Sequence, residues 1–193
     1  MSGMKETETY TDIGNRFKQN IKSLQPGWEV TFSQDKFLPQ MIAEIEHDLG
    51  GETDYHGQYI PNLKLDIVLG IKKSSKSSHI SIVLLEVKVD ALTLNHHAQL
   101  LGYLVSAPLF KCGILVGVNV GRYSGSCLSD EYQQLLRMKA LPMAFHISSS
   151  LSDVTFRTGV VYGQYQGMLN WWGSSEKDAI INFPGLCDCI EDI

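Results

Sequence analysis

The chain has 193 residues, 44% of them hydrophobic and 19% charged, which suits one packed domain with a modest appendage and excludes the composition of a disordered chain. A formal charge of −5, from 16 Lys and Arg against 21 Asp and Glu, excludes a broadly basic nucleic-acid-binding surface, so any such contact has to be local. No apolar run reaches the ~18 residues of a membrane span, and residues 1–11 lack the apolar stretch of a signal peptide.

A cytoplasmic location is the expectation. Cys112, Cys127, Cys187 and Cys189 are unevenly placed, unlike a secreted disulfide framework or the Cys-x-x-Cys pairs of a zinc or iron-sulfur site, so reduced thiols are expected.

In chain order, Ile13, Phe17, Ile21 and Leu24 recur at helical spacing, predicting an amphipathic helix over 11–24, capped by Thr11 or Asp12 and stopped by Pro26-Gly27. A second helix is predicted from Pro39, with Met41, Ile42, Ile45 and Leu49 on one stripe and Gly50-Gly51 at its end. The period then changes. A strand over 63–71 and a longer one over 79–89 are joined by a polar loop, which favours an antiparallel hairpin. On the second strand Val83, Leu85 and Val87 leave one face, and Ile82, Leu84, Glu86 and Lys88 the other.

A third helix is predicted over 95–106, with Ala98, Leu101, Leu104 and Val105 toward a sheet. It leads to an apolar strand over 112–120, expected to be central because both its faces read as buried. A helix over 129–139, a strand over 141–147 and a strand or hairpin over 154–166 follow, with Trp171-Trp172 in a turn and an acidic tail from Glu176. The expected class is α/β, with a mixed central β-sheet flanked by helices. Its expected divisions are an N-terminal helical segment (1–27), a core (28–150), and an extension with acidic tail (151–193) of the same domain.

Asp66, Glu86 and Lys88 stand in segments whose neighbours are strongly apolar, where a charge is costly unless it is paired or bound. Glu86 and Lys88 are two apart on one strand and share a face, and Asp66 lies on the hairpin partner, placed to oppose them. Two carboxylates with a lysine suit Mg²⁺ or Mn²⁺. The same spacing fits a structural ion pair equally well.

The run from Pro61 to Tyr103 carries more. Pro61-Asn62-Leu63-Lys64-Leu65-Asp66, then Glu86-Val87-Lys88 at the end of an apolar strand, then a helix, resembles the PD-(D/E)XK nuclease superfamily. The proline stands five residues before Asp66 instead of beside it. Gln99 and Tyr103 resemble the Gln-x-x-x-Tyr motif of its RecB-like, lambda-exonuclease-like and Cas4-like members, although the cysteines do not follow the iron-sulfur pattern of the last.

This resemblance implies a restriction-endonuclease-like core and metal-dependent hydrolysis of phosphodiester bonds, with DNA ahead of RNA as the substrate. It implies Asp66, Glu86 and the Val87 carbonyl as ligands of Mg²⁺ (or Mn²⁺), joined by an acid from the helix before the first core strand. Glu46 is the choice there, with Glu44 next and His47 and Asp48 as the remaining candidates. Lys88 would orient water or stabilise phosphate oxygens, Gln99 and Tyr103 would position the strand, and Lys72, Lys73 and Lys76 could touch the backbone.

A homodimer is compatible with cutting two strands. One alternative is a catalytically silent PD-(D/E)XK-fold module that binds nucleic acid or protein. Another is an interaction protein using Tyr162, Tyr165, Trp171 and Trp172 as its contact surface.

Overall fold

A computed structural model describes residues 5–54, 59–88, 93–107, 109–119, 146–147 and 156–164. The expected helix over 129–139, the Trp171-Trp172 turn and the acidic tail lie outside the described residues.

A 3-10 turn at Glu6–Glu8 leads through Thr9 into α1 (Tyr10–Leu24). Strand β1 (Glu29–Phe37) follows, then α2 (Leu38–Leu49), the short β2 (Glu52–Thr53), β3 (Lys64–Lys72), β4 (His79–Lys88), α3 (Leu94–Ser106), β5 (Phe110–Asn119), β6 (His146–Ile147) and β7 (Phe156–Gln164). The sheet order is β1-β3-β4-β5-β7-β6, with β2 pairing β4 beside this path. β3 is antiparallel to β1 and β4, whereas β4, β5 and β7 run parallel. The fold is therefore α/β with a mixed sheet flanked by helices. The apolar strand expected to be central is β5, which lies between β4 and β7.

Alternation within the strands sends their side chains into two cores. On one side Ile13, Phe17 and Ile21 of α1 pack over Val30, Ile67, Leu69, Val83, Leu85 and Val87. On the other, α2 and α3 cover Val68, Ile80, Ile82, Leu84 and Leu115. Each fully buried aliphatic side chain contributes roughly 1.5–3 kcal/mol, so α1 is an integral layer of the fold and not an appendage.

The tight seat of α1 is visible at Gly14, where a Cβ would stand 2.5 Å from the Phe32 ring. The α2 helix carries Pro39 in its first turn and ends at Gly50, whose φ of 58° is the left-handed conformation that glycine adopts freely.

Two expectations change. The strand β1 had no counterpart in the sequence reading, and it precedes α2. The buried stripe of α3 is His97, Leu100 and Leu104; of the expected stripe Leu104 is buried, Leu101 is half-buried, and Ala98 and Val105 are exposed. Burial pushes the His97 imidazole below its ordinary value, toward the neutral form.

Candidate functional site

The register of the β3/β4 hairpin fixes the site. Ile67 pairs with Leu85, and one step further along the antiparallel pair Asp66 comes opposite Glu86. The Val87 amide donates to Asp66 Oδ2 at 2.8 Å. Lys88 Nζ lies 2.7 Å from Glu86 Oε1 and 3.7 Å from Asp66 Oδ2. The structure thus gathers Asp66, Glu86, Val87 and Lys88 at one end of the hairpin.

Two further residues enter from the N-terminal segment. Glu6 Oε1 stands 3.4 Å from Lys88 Nζ. The Tyr10 hydroxyl donates to Asp66 Oδ1 at 2.7 Å and to Glu6 Oε1 at 3.1 Å. Sequence reading missed both; Glu6 joins the site through Lys88, 82 positions along the chain, and through the Tyr10 hydroxyl.

The electrostatics follow from burial. Glu86 is 1% exposed; burial first, then the charge of Asp66, push its carboxyl up to about 7 against the lowering effect of Lys88. Burial alone would lower the Lys88 ammonium, but the hydrogen bond and charge of Glu86, with the charges of Asp66 and Glu6, outweigh it and hold the group above its ordinary value. Burial, then the hydrogen bond and charge of Asp66, push the Tyr10 hydroxyl far above its ordinary range, so it stays a donor. Three carboxylates therefore share one ammonium, and the surplus of hard, negatively charged oxygen suits a cation.

The four candidates on α2 sit elsewhere. Glu46 Oε1 accepts both the Thr53 amide, at 2.8 Å, and the Thr53 hydroxyl, at 2.7 Å. Thr53 pairs with Ile80, six residues before Glu86 on β4, which places it about 20 Å from Glu86 at a strand rise of roughly 3.3 Å per residue. Glu46 closes the turn from α2 into β2 and is not part of the cluster.

The Glu44 carboxylate is held by Ser33 at 2.7 Å and Lys36 at 2.6 Å, and these hydrogen bonds, Lys36 first, lower its pKa. Asp48 accepts from Thr31 and lies 3.6 Å from His47. The misassignment has one cause. With β1 unseen, α2 passed for the helix before the first core strand, whereas that helix is α1.

Gln99 and Tyr103 share one face of α3, as the i, i+4 spacing implies, and Gln99 Nε2 donates to the Tyr103 hydroxyl at 2.9 Å. Among the described residues they hydrogen-bond each other, and Tyr103 packs against the core on the α2 and α3 side of the sheet; α3 starts six positions after Lys88. The hairpin-loop lysines lie at the opposite end of the hairpin from Asp66. Lys72 follows Asp66 by six residues on β3, again about 20 Å away. It is buried, bonding the Leu49 carbonyl and pairing with Glu29 at 3.0 Å.

Among the described residues no three or more His, Cys, Asp or Glu side chains are grouped so as to hold a metal ion by themselves. Mg²⁺ asks for less, since it keeps several waters and takes one or two carboxylates together with substrate phosphates. Asp66, Glu86 and the Val87 carbonyl fit that demand by donor type. Among the described residues no helix is long and apolar enough to cross a membrane.

No family model matches the chain, and no curated protein matches it in sequence. What points to a function is the geometry of Asp66, Glu86, Lys88 and the residues around them.

Proposed function

We propose that the chain is a metal-dependent nuclease that hydrolyses phosphodiester bonds of nucleic acid, DNA ahead of RNA, on a restriction-endonuclease-like core. The observation that carries this reading is the convergence of Asp66 and Glu86 across the hairpin with Lys88 within reach of both. Support also comes from position, because ligands of open α/β sheets bind outside the carboxyl ends of strands, and Glu86 and Lys88 close the carboxyl end of β4.

Asp66, Glu86 and the Val87 carbonyl would hold the Mg²⁺ or Mn²⁺. Glu6 takes the place expected of Glu46 as the third acid. When bound, the cation supplies positive charge against the phosphate and acidifies water. Lys88, paired with Glu86 at 2.7 Å and more loosely with Glu6 at 3.4 Å, can release Glu6 and turn its ammonium to a phosphate oxygen or the attacking water. Gln99, exposed on α3, and Tyr103 present a hydroxyl and an amide with which to position the strand.

The test is cleavage of labelled single- and double-stranded DNA and RNA with Mg²⁺, Mn²⁺ or EDTA, comparing the native chain with Lys88→Ala. Metal-dependent cutting that Lys88→Ala abolishes supports the reading and identifies the polymer. One observation favours a catalytically silent binding module: Lys88 is already paired within the chain. No cutting of any substrate, with no rise in melting temperature on adding metal, would sink the nuclease and leave that module.

A further inference from the structure

Tyr10 is 3% exposed and its ring packs among the α1-side core residues, yet its hydroxyl leaves that core to reach Asp66 Oδ1 at 2.7 Å. The other oxygen of Asp66 accepts the Val87 amide at 2.8 Å. Asp66 is thus held from both sides, by the sheet through Val87 and by α1 through Tyr10. A carboxylate with both oxygens fixed has little torsional freedom left, and its remaining lone pairs point in set directions.

The same hydroxyl lies 3.1 Å from Glu6 Oε1, linking two acids that are 60 positions apart in the chain. A core position could be filled by phenylalanine with the same ring, and the oxygen is the part that packing does not need.

We propose that Tyr10 is a positioning residue of the cation site, orienting the Asp66 carboxylate and bridging it to Glu6, so that α1 is a working part of the site. This rests on the metal-dependent reading above. Partners that orient metal-binding carboxylates change metal affinity by about 10- to 100-fold when removed.

The test uses the full chain and Tyr10→Phe, which keeps the ring and deletes one oxygen. Mn²⁺ binding is read from the electron paramagnetic resonance signal of free Mn²⁺, alongside melting curves without metal and cleavage rates over a range of Mn²⁺ concentrations. The expected result is a folded variant whose Mn²⁺ affinity falls about tenfold or more, with the cleavage rate largely recovered at saturating Mn²⁺. Equal Mn²⁺ affinity in the two chains would overturn the assignment to Tyr10 and leave the metal site standing. A Tyr10→Phe chain that does not fold without metal would assign the hydroxyl to structure and overturn it as well. Absence of Mn²⁺ binding by the native chain would overturn the metal-dependent reading and this proposal with it.

Discussion

Lys88 Nζ and Glu86 Oε1 lie 2.7 Å apart on side chains two residues from each other along β4, with the carboxylate side chain 2% exposed and the ammonium side chain 15%. Each makes the burial of the other tolerable. Removing the ammonium alone leaves an uncompensated buried charge, which costs about 3–5 kcal/mol. Lys88→Met should therefore lose stability on that order at pH 8.5, measured by urea unfolding without metal. At pH 5.5 the loss should shrink, because Glu86, already raised to about 7, is then neutral. Equal losses at both pH values would contradict the pairing.

Glu86 also gives the native chain a pH slope of known sign. Its carboxyl is raised from 4.5 to about 7 by burial first and then by Asp66. The folded state therefore holds its proton more tightly than the unfolded one. The stability this contributes is fully present below pH 4.5 and is lost as pH rises through about 7, amounting to roughly 3 kcal/mol at most. Glu86→Gln should flatten this fall between pH 5 and 8 in urea unfolding. His97, lowered by burial, slopes the opposite way, losing stability as pH falls below its ordinary range, so the two effects separate only in the variant. An unchanged slope in Glu86→Gln would rule out the buried acid as its source.

How much of this was legible in the sequence depends on how local the signal is. The hairpin was readable because Leu65 to Ile71 and Ile80 to Val87 are largely apolar runs whose only charged residues are Asp66 and Glu86, and a two-residue period then puts Glu86 and Lys88 on one face. β1 was not readable. Only Val30 and Phe32 mark its apolar side before Gln34, Asp35 and Lys36, and Asp35, at a φ of 51°, interrupts the pairing with β3 without changing its register. The polar run from Ser33 to Lys36 occupies both faces and erases the alternation that would signal a strand.

The missing strand shifted the choice of acid to Glu46, on the wrong helix. Glu6 and Tyr10 carry no local signal at all, because a polar N-terminal turn reads as a solvated one. In α3 two stripes sharing Leu104 competed, and His97 made the buried one look polar.

Gly14 couples this packing to the site. Alanine there gains about 1 kcal/mol in helix propensity, but its Cβ would stand 2.5 Å from Cε2 and 2.6 Å from Cδ2 of Phe32, and overpacking costs about 1–3 kcal/mol. Gly14→Ala should be less stable than the native chain in thermal unfolding, with Phe32→Leu in the same chain restoring part of the loss. Because Tyr10 lies one turn earlier on α1, Mn²⁺ affinity should fall with it. A stabilised Gly14→Ala chain would show that α1 can lift off β1 freely.

Cation binding should release a proton in a defined pH window. At pH 6 the Glu86 carboxyl, raised to about 7, is mostly protonated, and a divalent cation needs the carboxylate. Mn²⁺ uptake should then expel close to one proton, and affinity should rise about tenfold per pH unit up to pH 7 and level off above it. Calorimetric titration in two buffers of different ionisation enthalpy counts the protons. Near pH 8.5 the two buffers should give the same heat, and in Glu86→Gln the proton release at pH 6 should vanish. Binding at pH 6 with no proton released would place the cation away from Glu86.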